Sequence, residues 1–162
     1  MPSGRRLARG LTTGLACFAL LAALAARFTV EPILVTSSSM RPTLAAGDRV
    51  LVEKVTYRFR APHRGEVVVI TDPHGGTPLV KRVVAVGGDR VELNSGVLLV
   101  NDRVVPDRGA QPDAEVAEFF GPLDVPAEHL FVLGDNRAES DDSREFGSVD
   151  ERRVIGRVWL GA

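Results

Sequence analysis

Two hydrophobic patterns follow one another along the chain. From Leu11 to Ala26 the stretch LTTGLACFALLAALAA carries no charge and no strict alternation, as in a helix that is apolar all round. After about Val30 the pattern changes. Short runs rich in Val, Ile and Leu now recur between Gly, Pro, Asn and Asp, which reads as strands and turns. Strands are predicted at Ile33–Val35, Arg49–Lys54, Glu66–Ile70, Val80–Val86, Arg90–Leu93, Val97–Val100, Arg103–Val105, Leu130–Leu133 and Val154–Leu160. Asp72–Gly76 and Asn94–Gly96 read as turns. Between Pro106 and Pro126 the chain is polar and Pro-rich, with a short helix expected around Ala114–Phe120. No internal repeat is evident. The expected fold is a mostly-β domain with a barrel-like or coiled-sheet core.

The N-terminal run is roughly 16 residues, about 24 Å as a helix. Leu7 and Ala8 before it and Phe28 to Val30 after it can lengthen it toward a ~30 Å hydrocarbon core, with Arg9 and Arg27 reaching to the interface. Arg5, Arg6 and Arg9 precede it. Two readings fit this pattern. A cleavable signal peptide has such a basic start, and Ala23-Leu24-Ala25 offers an A-x-A site. An uncleaved anchor would leave the arginines in the cytoplasm and the rest of the chain outside.

Composition narrows the chemistry. At 162 residues the chain can bury one sizeable core, and a net charge of −1 gives no reason to expect nucleic acid as a partner. Lys plus Arg is 20, yet Lys54 and Lys81 are the only lysines, so Arg supplies the other 18. A lysine kept in such a chain is a candidate for a site that needs an amine. One cysteine, Cys17, excludes an intrachain disulfide and, with three scattered histidines, argues against a zinc site. No cofactor or metal is expected. The acidic stretch GDNRAESDD, Gly134 to Asp142, lacks the alternating oxygen ligands and sixth-position Gly of a calcium loop.

Three adjacent hydroxyls, Ser37, Ser38 and Ser39, precede Met40-Arg41-Pro42. No G-x-S-x-G elbow is present, and His63, His74 and His129 read as loop histidines with nothing to bring them to the serines. A serine can instead be activated by a neutral lysine. At a reference pKa of ~10.4 only about one lysine in 2,500 is neutral at pH 7, so burial must lower the value. Lys81, within Leu79-Val80-Lys81-Arg82-Val83-Val84, fits if Arg82 faces solvent and Lys81 faces inward with Leu79 and Val83. Lys54, beside Glu53 and a coming loop, reads as the more exposed of the two.

At this point the motifs resemble those of the type I signal peptidases, membrane-anchored serine endopeptidases that remove signal peptides from exported proteins. Phe28 with Glu31-Pro32 resembles the link from anchor to nucleophile segment. Ser37 to Leu44 resembles the family's S-x-S-M-x-P-T-L box, and Gly47 to Val52 the strand after it. Arg64 to Val69 resembles R-G-D-V-V-V with Glu66 for Asp, and Lys81 to Asp89 a looser form of the lysine box. Gly134-Asp135-Asn136-Arg137, then Ser140, Asp142-Ser143-Arg144 and Gly147 resemble G-D-N-R-x-x-S-x-D-S-R.

The resemblance implies roles. Ser39 is the nucleophile and Lys81 the general base. Ser37 and the Ser39 N–H form the oxyanion hole, and Ser140 orients the lysine. Asp142 and Arg144 are a supporting ion pair, with Asp135 and Asn136 in the same supporting loop. Val35, Met40, Leu44 and Val80 line the substrate pocket. The chain departs from the pattern at Thr36 (often Pro), Ser38 (often Gly), and Ala138 and Glu139 (often Asp-Asn). Ser38 receives no role, and its replacement by Gly or Ala is expected to be tolerated.

The resemblance favours the anchor, dividing the chain into a cytoplasmic basic N-terminus over 1–9, a transmembrane anchor over 10–30 and an extracytoplasmic peptidase domain over 31–162. It implies a single-pass protein of the cell membrane. Its partners would be the lipid bilayer, the vicinity of the export translocon and the signal peptides of exported preproteins, cut after small residues of the A-x-A type. The alternative within peptidases is a dedicated processor of a pilus, conjugation or secretion precursor. The short stretch beyond Trp159 suggests a minimal form without a large accessory domain.

Overall fold

The computed structural model describes residues 29–106 and 119–160. The predicted anchor therefore falls outside the described residues up to residue 28, and the predicted helix around Ala114–Phe120 up to residue 118. Among the described residues no helix is long and apolar enough to cross a membrane. The chain divides into two units, Met1–Glu31 and Pro32–Ala162, and the second holds the serine run and the strands that follow it.

The strands are β1 (Val30–Leu34), β2 (Arg49–Glu53), β3 (Val67–Ile70), β4 (Leu79–Val86), β5 (Arg90–Asn94), β6 (Val97–Val100), β7 (Arg103–Val104), β8 (Phe120–Asp124), β9 (His129–Leu133), β10 (Val149–Asp150) and β11 (Val154–Trp159). One sheet has the order β1-β2-β11-β3-β4-β9-β10, the other β7-β6-β5-β8. From β2 onward the pairings are antiparallel. A mostly-β fold is thus what forms, as two sheets.

The period-2 alternation of a strand decides where the core lies. Along β3, Val67 and Val69 enter one apolar cluster while Val68 and Ile70 enter another. Along β9, Leu130 and Val132 join the Val68 cluster, and Phe131 and Leu133 join a third with Val91, Leu93, Leu98 and Val100 of the smaller sheet. Both strands are covered on both faces, which is why they read as continuous apolar runs. β4 lies between β3 and β9. It is the longest strand and carries both Lys81 and Arg82.

Local chemistry explains the connections. β5 and β6 pair Asn94 with Val97, leaving Ser95-Gly96 as a two-residue turn. Both turn residues have positive φ, 50° and 78°, the combination a type I′ hairpin needs. The Asp72 side chain accepts from His74 N–H at 2.9 Å, closing the predicted turn between β3 and β4.

Two strands escape a reading by pattern. β8 contains Gly121-Pro122, residues that argue against a strand, and it survives because it is an edge strand paired only with β5. Phe120, expected in a helix, begins this strand. β10 has two residues, too few for any alternation to show. A single turn of helix, α1 (Ser143–Phe146), also went unpredicted.

Candidate active site

The serine segment leaves β1 and enters a tight turn. Arg41 N–H donates to Ser38 O at 3.0 Å and Leu44 N–H to Met40 O at 2.9 Å. Met40 and Leu44 anchor the turn in the cluster that also holds Val35, Val50, Val52 and Val158. This burial separates the three hydroxyls. Ser37 is exposed and Ser38 half-buried, whereas Ser39 is only 7% exposed. The Ser37 and Ser39 hydroxyls are hydrogen-bonded to each other at 3.1 Å.

The segment is clamped from behind by the loop after β9. Asn136 N–H donates to Ser39 O at 3.0 Å, and the Asn136 amide to Ser38 O at 3.3 Å. Gly134 is the crossing point. A Cβ there would lie 2.5 Å from Ser39 O, 2.5 Å from Ser140 Cβ and 2.1 Å from Ser140 Oγ. Only a residue without a side chain lets these groups approach.

Lys81 is buried, 2% exposed, on the face of β4 shared with Val83. Its amine donates to Ser140 Oγ at 2.9 Å, and Ser140 Oγ donates to Asp142 Oδ2 at 2.7 Å. Burial pushes the Lys81 amine below the ordinary lysine value. The Asp142 and Asp141 carboxylates push it up, the Arg144 guanidinium pushes it down, and the net direction is down. Among the described residues no hydrogen bond joins Ser39 Oγ directly to Lys81 Nζ.

Asp142 organises this corner. Fully buried, it accepts from Gly134 N–H at 2.9 Å, from Ser140 Oγ, and from Arg144 through Nε at 2.8 Å and a terminal nitrogen at 2.9 Å. It also caps α1 through Arg144 N–H. Arg144 also donates to the carbonyls of Arg137 and Ser140. The expected ion pair is therefore present, and its hydrogen bonding offsets the desolvation that a buried pair costs.

One premise needs correction. Arg82 does not face solvent. It is buried on the opposite face of β4 from Lys81 and grips Asp135 through two bonds of 2.7 and 2.6 Å. It also donates to Gly65 O at 2.9 Å and Thr43 Oγ1 at 3.3 Å. Both sheet faces are covered here, so strand alternation separates the two cations without exposing either. Asp135 thereby ties the loop after β9 to the strand that carries Lys81. Lys54 is half-buried, more exposed than Lys81 as expected. His63 and His74 are exposed, and His129 begins β9 with its ring against Ala127 O.

Val35, Met40 and Leu44 are core residues, with Val80 packed against their cluster. A cavity of about 440 Å³ lined by Arg64, Arg82, Leu98 and Val105 touches neither Ser39 nor Lys81. Among the described residues no group of His, Cys, Asp and Glu could hold a metal ion.

Sequence reasoning also missed a contact of Ser38. Ser38 Oγ donates to Glu139 at 2.6 Å, joining two of the positions where the chain departs from the family pattern. Each departure is visible in the sequence, but only the fold brings them together.

An antiparallel β-scaffold that carries a near-buried serine, a buried lysine with a lowered pKa and a hydroxyl–carboxylate relay defines a class: it has the parts of a serine-type hydrolase. The chain belongs to the signal peptidase, peptidase S26 family, whose profile matches residues 9–160. It is 36% identical over 141 residues to a probable signal peptidase I-2 of Synechocystis, a match spanning 82% of this chain and 63% of that protein. It is 43% identical over 137 residues to a probable thylakoidal processing peptidase 2 of Arabidopsis thaliana, spanning 78% of this chain and 36% of that protein. With signal peptidase I T of Bacillus subtilis it shares 36% over 146 residues, 85% of this chain and 76% of that one. The crystal structure of a signal peptidase I from Enterococcus faecalis superposes with a TM-score of 0.52 at 28% identity, covering 60% of this chain and 97% of that chain.

Proposed function

We propose that this chain is a membrane-anchored signal peptidase that cleaves signal peptides from exported preproteins after small residues, using Ser39 and Lys81. The observation that carries the reading is the Lys81 amine, buried, lowered in pKa and held by the Ser140 hydroxyl beside the loop that clamps Ser39.

Ser39 Oγ attacks the scissile carbonyl as the neutral Lys81 amine takes its proton. The Ser39 N–H and the Ser37 hydroxyl stabilise the oxyanion. Ser37 Oγ has to turn from Ser39 Oγ toward the substrate, a single side-chain rotation. Substrate entry closes the gap between Ser39 and Lys81, as catalytic hydrogen bonds commonly tighten in the Michaelis complex. Lys81 then hands the proton to the leaving amine, and water releases the acyl group by the same route. Ser140 fixes the direction of the lysine lone pair, and Asp142 with Arg144 fixes Ser140. Small apolar side chains of the substrate are accepted beside Val80, which is half-buried over the cluster of Val35, Met40 and Leu44. The apolar run over 10–30 holds the domain at the bilayer, close to the translocon from which the signal peptide's C-terminal end emerges.

The test is cleavage of a preprotein with an A-x-A site by the full chain in detergent. Ser39→Ala and Lys81→Ala should each lose nearly all turnover while keeping the thermal unfolding transition of the parent. Lys54→Gln should leave turnover intact. Near-normal cleavage by Lys81→Ala would remove the lysine from the mechanism.

A further inference from the structure

Ser39 and Lys81 belong to different elements and share no direct hydrogen bond, so their separation is set by whatever connects those elements. Ser39 lies in the turn after β1, and Lys81 is held through Ser140 in the loop after β9. Besides Arg82, which bonds both Thr43 and Asp135 on the far face of β4, two residues join these loops among the described residues, Asn136 through its backbone and side chain and Glu139 through its carboxylate. One Glu139 oxygen accepts from Ser38 Oγ at 2.6 Å and from the Asn136 amide at 3.2 Å. The same amide reaches Ser38 O, while the Asn136 backbone N–H holds Ser39 O.

The spacing along the chain gives this arrangement its leverage. Ser38 immediately precedes Ser39, and Glu139 immediately precedes Ser140. The Ser38–Glu139 bond therefore ties together the neighbours of the two hydroxyls whose placement the chemistry needs. A bond from a hydroxyl to an ionised carboxylate is short and stronger than one between neutral groups, in keeping with the 2.6 Å seen here. Glu139 is exposed and does not touch the Lys81 amine, so its influence on that amine is geometric, not a proton transfer.

We propose that Glu139 is a positioning residue, a latch that closes on Ser38 and sets the serine loop against the lysine-holding loop. The inference rests on the Ser39–Lys81 reading above. Releasing the latch loosens the approach of Ser39 to Lys81, which lowers kcat. It leaves the substrate pocket alone, which preserves KM.

The experiment is a double-mutant cycle on the full chain in detergent with a preprotein substrate, alongside thermal unfolding. Ser38→Ala and Glu139→Ala should each lower kcat about 5-fold, the scale of one net hydrogen bond at a partly solvated site, with KM within about 2-fold. The double variant should be no slower than either single one, because both remove the same bond. Glu139→Gln, which keeps an acceptor oxygen, should recover most of the lost kcat. Single variants at parental kcat, effects that multiply in the double variant, or a Gln variant as slow as the Ala variant would each overturn the latch. If Ser38→Ala does not fold, the comparison of Glu139→Ala with Glu139→Gln decides the matter alone. Ser39→Ala, run in parallel, keeps the two claims apart. An inactive Ser39→Ala with parental latch variants refutes only the latch, whereas an active Ser39→Ala, or a parent that cleaves nothing, refutes both.

Discussion

Replacing Ser140 by Ala tests the relay with the least collateral damage. The substitution removes one oxygen that accepts from Lys81 Nζ at 2.9 Å and donates to Asp142 at 2.7 Å. Asp142 tolerates the loss, because Gly134 N–H and the Arg144 guanidinium still fill its oxygens. Lys81 does not, since Ser140 Oγ is the acceptor to which its buried amine is bonded. A buried donor left unpaired costs about 1–3 kcal/mol, and a barrier raised by that amount slows turnover roughly 5- to 150-fold. The loss should fall on kcat with KM little changed, since in the proposed mechanism Ser140 positions the base and does not bind the substrate. Initial rates on a preprotein, with the unfolding temperature as a control on folding, read this directly. A kcat within about 2-fold of the parent in a folded Ser140→Ala protein would show that the lysine needs no hydroxyl partner, and the relay would fall.

Four further outcomes are expected. Activity should be full above the lowered Lys81 pKa and fall as pH drops through it, because only the neutral amine accepts the Ser39 proton; a rate profile flat into acid would contradict this. The same lowered value makes the folded state bind that proton less readily than the unfolded chain, so Lys81's contribution to stability should rise with pH from its folded value to the unfolded ~10.4, as denaturant midpoints can show. Gly134→Ala should destabilise the protein by about 1–3 kcal/mol and abolish most activity, since the new methyl meets Ser39 O and Ser140; an unchanged urea midpoint would refute the crossing. Asp135→Asn should destabilise by about 3–5 kcal/mol by leaving the buried Arg82 charge uncompensated, and parental stability would show that the pair is not needed.

Much of the fold was legible because short runs rich in Val, Ile and Leu, bounded by turn residues, mark the strands that carry the core. β4, β5, β6 and β11 lie within a residue or two of the prediction. β8 was not legible, because its Gly-Pro pair is acceptable only at a sheet edge, and which strand is an edge is a property of the assembled sheet. The helical turn α1 was hidden for a related reason. It is held by the Asp142 cap and by Ser143 Oγ accepting from Val132 N–H at 2.9 Å, rather than by an apolar stripe.

The site divides in the same way. The serine run and a lysine retained in an Arg-rich chain made Ser39 and Lys81 candidates, and the boxes that resemble the family's added Ser140 and the Asp142–Arg144 pair. These are identities and spacings, and a chain carries them without folding. What the tertiary structure decided is which groups lack water and which touch. Lys81 and Arg82 look alike in sequence, one polar residue after another in an apolar strand. Because β4 is covered on both faces, each is buried against a different partner, a neutral hydroxyl for the lysine and a carboxylate for the arginine. Ser38 looked idle until the loop after β9 brought Glu139 to it across the serine turn. Burial and long-range contact depend on elements distant in sequence, and only the folded chain brings those elements together.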